Sequence, residues 1–269
     1  MIPKIAYFFW GDGTPFSFLR LLTLRSFRKF HPGWKMVLYK SEKQEGFRTW
    51  STRDRQDFMS KDDVSDFSSE WDGLGIEIRS YSNGKRVAPN FVSDFFRWDV
   101  LRGGGWYLDV DQIVCRPFDD LGGYDFVYGC RSMPYVGVLG ASKESLLPEI
   151  AFSEIDTHFD ANDYCCIGPQ FFIYLNERCS KFVDQKSKEK VYRTENEAFY
   201  PISSSDDVVR IHSGEFQIPD TSYAVHWFGG HPESQKFNRG YTPEFAASSN
   251  DTISRFAKDN DLLVGSFTL

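Results

Sequence analysis

Residues 90–111 constrain the fold of this chain more than any other stretch. Residues 90–102 repeat apolar side chains at helical spacing and are followed by a run of three glycines that begins at Gly103, which predicts a helix that ends at this run. Residues 106–110 then form a short apolar run of strand length. At the start of the chain, a strand, a helix and a second strand are predicted in fewer than 40 residues, which indicates the opening of an α/β sheet.

The predicted helix carries a polar seam on an otherwise apolar surface. At about 100° per residue, four polar residues fall on one side of it: Asn90, Ser93, Asp94 and Arg97. A helix this apolar should be largely buried, which would place Asp94 and Arg97 in the interior or on the floor of a cleft. The two residues would then serve a ligand, or form an i, i+3 ion pair that satisfies only itself.

Two carboxylates, Asp109 and Asp111, stand at the end of the predicted strand. Because side chains alternate along a strand, both should point the same way, about 7 Å apart. Oxygen ligands of this kind suit Mg²⁺ or Mn²⁺ together with substrate phosphates. Ligands of open α/β sheets also collect at the carboxyl ends of strands. The alternative interpretation is an acidic loop that only caps a strand.

The rest of the chain is consistent with one α/β domain over residues 1–269. Strands are predicted at residues 5–10, 34–39, 106–110, 125–130, 135–141 and 223–228. Helices are predicted at residues 15–29, 90–102 and 144–159 and within 243–263. Residues 41–88 are expected to form a variable helical or loop excursion.

Charge and composition limit the partners. The net charge of −7 disfavours a phosphate backbone, so we expect no nucleic-acid partner. No apolar run reaches the roughly 18 residues of a bilayer span, and the first residues lack the zones of a signal peptide, which predicts a cytoplasmic protein. The five cysteines show no C-x-x-C spacing and are expected to be reduced and structural.

The first predicted helix is rich in basic residues, namely Arg20, Arg25, Arg28 and Lys29. A solvated helix face is the expected role of these side chains. The alternative is a peripheral contact with an anionic membrane surface.

As a whole, the order Ser-Asp-x-x-Arg, glycine stop and Tyr-Leu-Asp-x-Asp resembles the donor site of GT-A-fold glycosyltransferases. The similarity is to the DXD-containing sugar-transferase family, of glycosyltransferase family 32 type. That family includes initiating α-mannosyltransferases of yeast type and the catalytic domains of clostridial glucosylating toxins. The resemblance covers most of the chain outside residues 41–88. It implies a Rossmann-like nucleotide-sugar-binding α/β fold, in a single domain with a mixed central sheet.

The resemblance also implies roles for particular residues. Donor-binding roles fall on Phe9, Trp10, Gly11, Asp94, Arg97, Tyr107 and Asp109, with Trp10 beside the nucleotide base. Catalytic roles fall on Asp94, Arg97 and Asp109. The implied metal ligands are Asp109, Asp111 and His226, and His231 is a rival to His226.

The implied activity is a metal-dependent, retaining transfer of a hexose. The donor would be a UDP- or GDP-sugar, the cofactor Mn²⁺ or Mg²⁺, and the acceptor a saccharide or glycolipid in surface polysaccharide or oligosaccharide synthesis. The resemblance implies front-face attack, in which the departing phosphate assists deprotonation of the acceptor. No residue is marked as a covalent nucleophile.

Three alternatives remain open at this level. A non-catalytic relative could bind the nucleotide sugar or another carbohydrate without turning it over. A sugar-nucleotide pyrophosphorylase would explain the loop from Gly11 to Thr14, but it needs a basic residue soon afterwards, and residues 15–19 supply none. A glycosidase would need two carboxylates on opposite sides of the scissile bond rather than side by side on one strand.

Overall fold

The computed structural model describes residues 1–11, 13–41, 64–131, 133–186, 189–204 and 207–264, with the side chains of residues 179–186 excepted. The strands in these residues are β1 (Ile5–Gly11), β2 (Lys35–Ser41), β3 (Ile76–Tyr81), β4 (Gly105–Leu108), β5 (Gln112–Val114), β6 (Phe126–Cys130), β7 (Pro134–Ala141), β8 (Val191–Arg193) and β9 (Ala224–His226). Seven of them form one sheet in the order β3-β2-β1-β4-β7-β6-β8, while β5 and β9 form a separate two-stranded sheet.

The large sheet is mixed. Strands β3, β2, β1 and β4 run parallel, β7 is antiparallel to its neighbours β4 and β6, and β8 pairs with β6 in parallel. This arrangement confirms the predicted α/β fold with a mixed central sheet.

The helices are α1 (Phe18–Phe30), α2 (Pro89–Leu101), α3 (Leu147–His158), α4 (Pro169–Lys186), α5 (Asn196–Phe199), α6 (Val208–Ser213), α7 (Pro232–Arg239), α8 (Pro243–Ser248) and α9 (Thr252–Asp259). Two 3₁₀ helices lie at Ser68–Leu74 and Asp119–Leu121. Within β1, Phe8 belongs to the hydrophobic core that contains α1, and Phe9 belongs to the core that contains α2. Because side chains alternate along a strand, α1 and α2 therefore cover opposite faces of the sheet.

The two helices that matter for the site have clear start and stop signals. Ser17 caps α1 and accepts a hydrogen bond from the Arg20 amide, and Pro89 occupies the first turn of α2, where its missing N–H costs nothing. After α2 the chain turns through Gly104 and Gly105, which have positive φ angles of 71° and 129°. Any Cβ on Gly105 would lie 2.6 Å from the Tyr7 ring, so this turn requires glycine.

Several predicted boundaries change in the structure. The predicted strand 106–110 ends at Leu108, the strand 223–228 shortens to β9, and residues 243–263 contain α8 and α9 instead of one helix. The excursion 41–88 contains β3, which was not predicted. Of this strand only Ile76 is buried, so the edge strand lacks the apolar run of a central one. Residues 42–63 lie outside the described residues.

The prediction of a solvated basic face on α1 is wrong for three of its four residues. Arg20, Arg25 and Arg28 are only 3%, 3% and 6% exposed. Arg25 donates to the Leu262 carbonyl and pairs with Glu70, so the chain after α9 covers this side of the helix. These three guanidinium groups therefore form neither a solvated face nor a surface for a membrane.

Two further predictions concern thiols and membrane spans. Cys115, Cys130, Cys165 and Cys166 carry free thiols as predicted, whereas the side chain of Cys179 lies outside the described residues. Among the helices of the described residues, none has both the length and the apolar character needed to cross a bilayer.

Candidate active site

Asp109 and Asp111 lie in the turn that joins β4 to β5. They therefore do not continue one strand, as the sequence suggested, because β4 ends at Leu108 and β5 belongs to the other sheet. The turn still brings them together, and the pairing of Gln112 with His226 between β5 and β9 adds an imidazole. Ligand atoms of Asp109, Asp111 and His226 all lie within 4.8 Å of one another.

Asp111 is the most firmly held member of this acidic group. Its Oδ1 lies 2.8 Å from His226 Nε2, and its Oδ2 accepts a hydrogen bond of 2.7 Å from the Gly229 amide. Burial alone would raise the pKa of Asp111, but His226, Arg20 and the Gly229 N–H hold this pKa at about 2. Asp111 is therefore a fixed anion at neutral pH.

Arg97 connects the seam of α2 to Asp109. Its Nη2 lies 2.9 Å from Asp94 Oδ1 and 3.4 Å from Asp109 Oδ1, and its Nη1 donates to the Val136 carbonyl at 3.2 Å. Tyr107 donates to the same Asp109 oxygen at 2.5 Å. The Asp94–Arg97 pair is thus more than a self-contained i, i+3 ion pair, because it extends to a second carboxylate from the β4–β5 turn.

Asp94 and Asp111 differ in their electrostatic setting. Burial raises the pKa of Asp94 to about 6, because the attraction of Arg97 only partly offsets desolvation and the Asp109 charge adds repulsion. Burial, opposed in part by Arg97, also raises the pKa of the Tyr107 hydroxyl. Tyr107 is therefore neutral at neutral pH and donates a hydrogen bond to Asp109.

Two buried amides near this network lack hydrogen-bond partners among the described residues. They belong to Gln112, which is fully buried, and to Asn90, which is 6% exposed. A Cβ added to Gly137 would lie 3.2 Å from Gln112 Nε2 and 2.7 Å from Asp109 Oδ2, so both side chains border the same glycine. Buried polar groups are normally paired, and these two amides are therefore suited to a ligand. Gln112 was missed because alternation from Asp111 predicts that it faces away from the carboxylates.

Arg20 is a second residue that the sequence did not assign to the site. Its guanidinium lies 4.5 Å from the centre of the Trp10 ring and 5.1 Å from the Trp227 ring. Burial lowers its pKa to about 10, while Asp111 and Asp109 act in the opposite direction. A Cβ on Gly229 would lie 2.9 Å from Arg20 Nη2. Arg20 thus packs against the segment whose amide binds Asp111.

The expected donor residues on β1 are buried. Trp10 is 2% exposed and its Nε1 donates to the Thr14 carbonyl at 2.9 Å. Phe9 packs on Phe96, with 5.3 Å between ring centroids, and Gly11 ends β1 opposite Ser41 of β2. Their contacts with a donor stay predictions.

The two candidate histidines occupy different environments. His226 lies within the acidic group, at hydrogen-bonding distance from Asp111. His231 caps α7 and its Nδ1 accepts a hydrogen bond from the Glu233 amide. A ligand role for His226 is thus compatible with its surroundings and stays a prediction.

Comparison with known families supports the resemblance stated above. Residues 20–127 match the family described as a glycosyltransferase sugar-binding region containing a DXD motif. Asp94, Arg97, Asp109 and Asp111 all lie in the matched region, and the resemblance to DXD-containing glycosyltransferases is confirmed. The narrower similarity to family 32 and to yeast-type mannosyltransferases stays a prediction. No curated protein matches the chain.

Several solved glycosyltransferases are similar to this chain. The PaToxG glycosyltransferase is 15% identical, over 68% of this chain and 72% of its own, with a TM-score of 0.46. Apo GlyE from Streptococcus pneumoniae TIGR4 is 14% identical, over 85% of this chain and only 55% of its own, also at 0.46. The galactosyltransferase LgtC, solved with donor and acceptor sugar analogs, is 11% identical over 98% and 97%, at 0.46. Because all three TM-scores lie below 0.5, the function proposed below rests on this chain's own residues and its family match.

Proposed function

From this DXD-type glycosyltransferase region, we propose that the chain is a metal-dependent, retaining glycosyltransferase of the cytoplasm. It transfers a hexose from a UDP- or GDP-sugar to a saccharide or glycolipid acceptor in surface polysaccharide or oligosaccharide synthesis. The observation that carries the proposal is the group formed by Asp109, Asp111 and His226, whose ligand atoms lie within 4.8 Å of one another. Arg97 contacts the same group through Asp109.

The donor set fits Mn²⁺ or Mg²⁺. Carboxylate oxygens suit both ions, and the imidazole of His226 favours Mn²⁺ as the softer of the two. The low pKa of Asp111 keeps this ligand ionised at neutral pH. A divalent ion held by these three residues would act as a Lewis acid toward the departing nucleoside diphosphate.

Arg97 supplies a fixed positive charge beside the metal ligands. Its guanidinium is held by Asp94, Asp109 and the Val136 carbonyl, so it need not reorganise when negative charge develops on the leaving group. Asp94 lies on the same seam and would accept a hydrogen bond from a hydroxyl of the donor sugar. The unpaired amides of Asn90 and Gln112 offer further donors and acceptors to the bound substrate.

The family resemblance supports retention of configuration, and the contacts of the carboxylates are compatible with it. Asp94 and Asp109 both contact Arg97, and a carboxylate that already faces a guanidinium is a weaker nucleophile. An oxygen of the departing phosphate would then receive the proton of the acceptor hydroxyl while that hydroxyl attacks from the same side.

A donor screen tests this proposal. Purified protein is incubated with Mn²⁺ and individual UDP- and GDP-sugars, and release of UDP or GDP is measured with and without saccharide acceptors. We expect turnover of one donor, at least a hundredfold loss in Asp111→Asn and loss with EDTA. Asp72→Asn makes the same change at an exposed position of the 3₁₀ helix Ser68–Leu74 and should be as active as wild type.

Two results would contradict the proposal. Turnover by Asp111→Asn equal to that of wild type would show that the metal group takes no part in the reaction. Nucleotide binding without turnover of any donor, with every acceptor tested, would identify the non-catalytic relative instead.

A further inference from the structure

A cavity lies at the edge of the large sheet, next to β8, α5 and the segment that precedes β9. Its volume is about 520 Å³, within the range of small-molecule sites. Its lining is polar and aromatic, and consists of Arg116, Tyr192, Thr194, Glu195, Asn196, Glu197, Ala198, Thr221 and Tyr223.

This cavity, here called the edge cavity, is separate from the acidic group. Its lining contains none of the three metal-ligand candidates. The β5–β9 pair links the two places, because Gln112 faces His226 at one end and Val114 faces Ala224 at the other. Tyr223 is three residues before His226, which is about 10 Å along an extended chain. A chain of a few sugar units is long enough to bridge this distance.

Two aromatic rings of the edge cavity are held in place. The Tyr223 hydroxyl donates to Asp120 Oδ2 at 2.5 Å, and the Arg116 guanidinium covers the ring at 4.2 Å while it also binds Asp120. Tyr192 stacks on Tyr124 with 4.5 Å between centroids and 15° between planes. The Tyr192 ring, fixed in this way, presents a flat apolar surface at little further entropic cost, and the C–H face of a pyranose fits such a surface.

The polar side chains of the edge cavity offer many acceptors and few free positive charges. Glu195, Asn196 and Glu197 are exposed, and Arg116 is already paired with Asp120. Carboxylate and amide oxygens accept hydrogen bonds from several hydroxyl groups at once. An anionic ligand such as a phosphate would instead be repelled by the two carboxylates, and a purely apolar ligand would leave them unsatisfied.

Thr194 provides an independent indication of a ligand. It lines the cavity, is 3% exposed, and its Oγ1 has no hydrogen-bond partner among the described residues. A buried hydroxyl is normally paired. A polyhydroxylated ligand in the cavity would supply the missing partner.

We propose that the edge cavity is a second saccharide-binding site, which takes a neutral oligosaccharide segment between the rings and carboxylates around Thr194. That this segment belongs to the acceptor chain rests on the transferase function proposed above. The binding itself does not, since it uses no residue of the metal group.

The first test is saccharide binding without catalysis. An array of neutral and charged glycans is probed with the Asp111→Asn chain, in which transfer is blocked. The same chain is then probed with Tyr192→Ala or Thr194→Val added. Hits are titrated by saturation-transfer NMR. We expect neutral oligosaccharides to bind, and their affinity to fall about tenfold in each cavity variant, as the loss of one ring face or one hydrogen bond predicts.

Two controls separate binding from folding. Tyr174→Ala makes the same change on α4, away from the cavity, and should leave affinity unchanged. Thr194→Val replaces an unpaired hydroxyl with a methyl group of equal shape, so its melting temperature should stay equal or rise while its affinity falls. A purely structural Thr194 would not produce this split.

Each outcome decides the proposal. Absence of binding to any neutral glycan, preference for charged glycans, or full binding by Tyr192→Ala and Thr194→Val would overturn it. If neutral glycans bind but the wild-type chain turns over no donor, the binding supports the edge cavity and the missing turnover contradicts the transferase function. The two proposals therefore fail separately.

Discussion

Helix α1 contains the buried Arg28 and helix α2 the buried Arg97, and the two guanidinium groups have different partners. In α1, Arg28 donates to the carbonyls of Leu74 and Trp34, so backbone acceptors satisfy its charge. In α2, Arg97 is held mainly by the ionisable side chains Asp94 and Asp109. The comparison shows that burial alone does not identify a functional arginine. The Arg28 guanidinium is satisfied by backbone carbonyls and stabilises the fold. The Arg97 guanidinium lies among carboxylates, where its positive charge can act on a substrate.

Substitution of Arg97 tests this difference most directly. Lysine keeps the charge but cannot make the forked contacts to Asp94, Asp109 and Val136. We expect Arg97→Lys to lower kcat/KM for sugar transfer about a thousandfold, measured with the donor found in the screen. Arg102→Lys makes the same change at the exposed end of α2, where the pairs with Asp99 and Glu149 lie on the surface, and should cost less than about threefold. Near-normal transfer by Arg97→Lys would refute its role.

The opposite result is expected at Arg28. Arg28→Met leaves the Leu74, Pro32 and Trp34 carbonyls without their donor, and should lower the free energy of unfolding by about 4 kcal/mol. The folded fraction should keep its normal kcat. Urea denaturation and steady-state kinetics measure both quantities. Lys29→Met, on the neighbouring exposed position, should change stability by less than about 0.5 kcal/mol. A large loss of kcat in Arg28→Met would contradict a purely structural role for Arg28.

The C-terminus of α1 adds a pH dependence of stability. Burial lowers the pKa of His31 from 6.5 to about 4, and its Nε2 accepts a hydrogen bond from the Phe118 amide. Below pH 6.5 the unfolded chain gains a proton that the folded chain does not. The contribution of His31, about 3 kcal/mol, is therefore complete above pH 6.5 and lost as the pH falls to about 4.

Denaturation of wild type and His31→Gln across pH 4 to 7 measures this contribution. Glutamine keeps an acceptor for the Phe118 amide but does not titrate. As the pH falls, the free energy of unfolding should decrease less steeply in the variant than in wild type, with a difference in slope that corresponds to the uptake of about one proton. Equal slopes for the two proteins would contradict a neutral buried His31.

The smallest expected effect concerns Gly137, which borders the network of α2. A methyl group there would lie 2.7 Å from Asp109 Oδ2 and 3.1 Å from the Tyr200 hydroxyl. We expect Gly137→Ala to displace Asp109 and weaken Mn²⁺ binding about tenfold, measured by calorimetry with UDP present. Gly123→Ala adds a methyl group with nothing within 4 Å and should bind Mn²⁺ normally. Unchanged Mn²⁺ affinity in Gly137→Ala would show that Asp109 is not a ligand.

The sequence predicted much of the fold, because apolar periodicity and glycine stops are local signals. The helix before Gly103 and the first two strands follow such signals and are confirmed. Strand β3 lacked them, because its side chains are mostly exposed at a sheet edge. The buried arginines of α1 were misjudged for a related reason. Some of their carbonyl partners come from distant segments, such as Leu262 for Arg25 and Leu74 for Arg28, and no local pattern records them.

The candidate site was predictable in part. Asp94, Arg97, Asp109 and Asp111 belong to one continuous motif, and the structure brings them together. The placement of His226 depends on the pairing of β5 with β9, which joins residues more than a hundred positions apart. The positions of Arg20 and Gln112 near the site could not be predicted. Arg20 reaches it because α1 packs against Trp227, and Gln112 follows a turn rather than a continuous strand, so the expected alternation of side chains from Asp111 does not hold.

The proposed function requires that Asp109, Asp111 and His226 hold a divalent ion that serves a nucleotide donor. The most direct measurement is anomalous diffraction from crystals of the chain grown with Mn²⁺ and UDP, and in parallel with Mn²⁺ and GDP. We expect one manganese peak within coordinating distance of these three side chains, with a diphosphate bound to it and Arg97 beside that diphosphate. A manganese peak elsewhere, or a nucleotide bound away from this group, would contradict the claim.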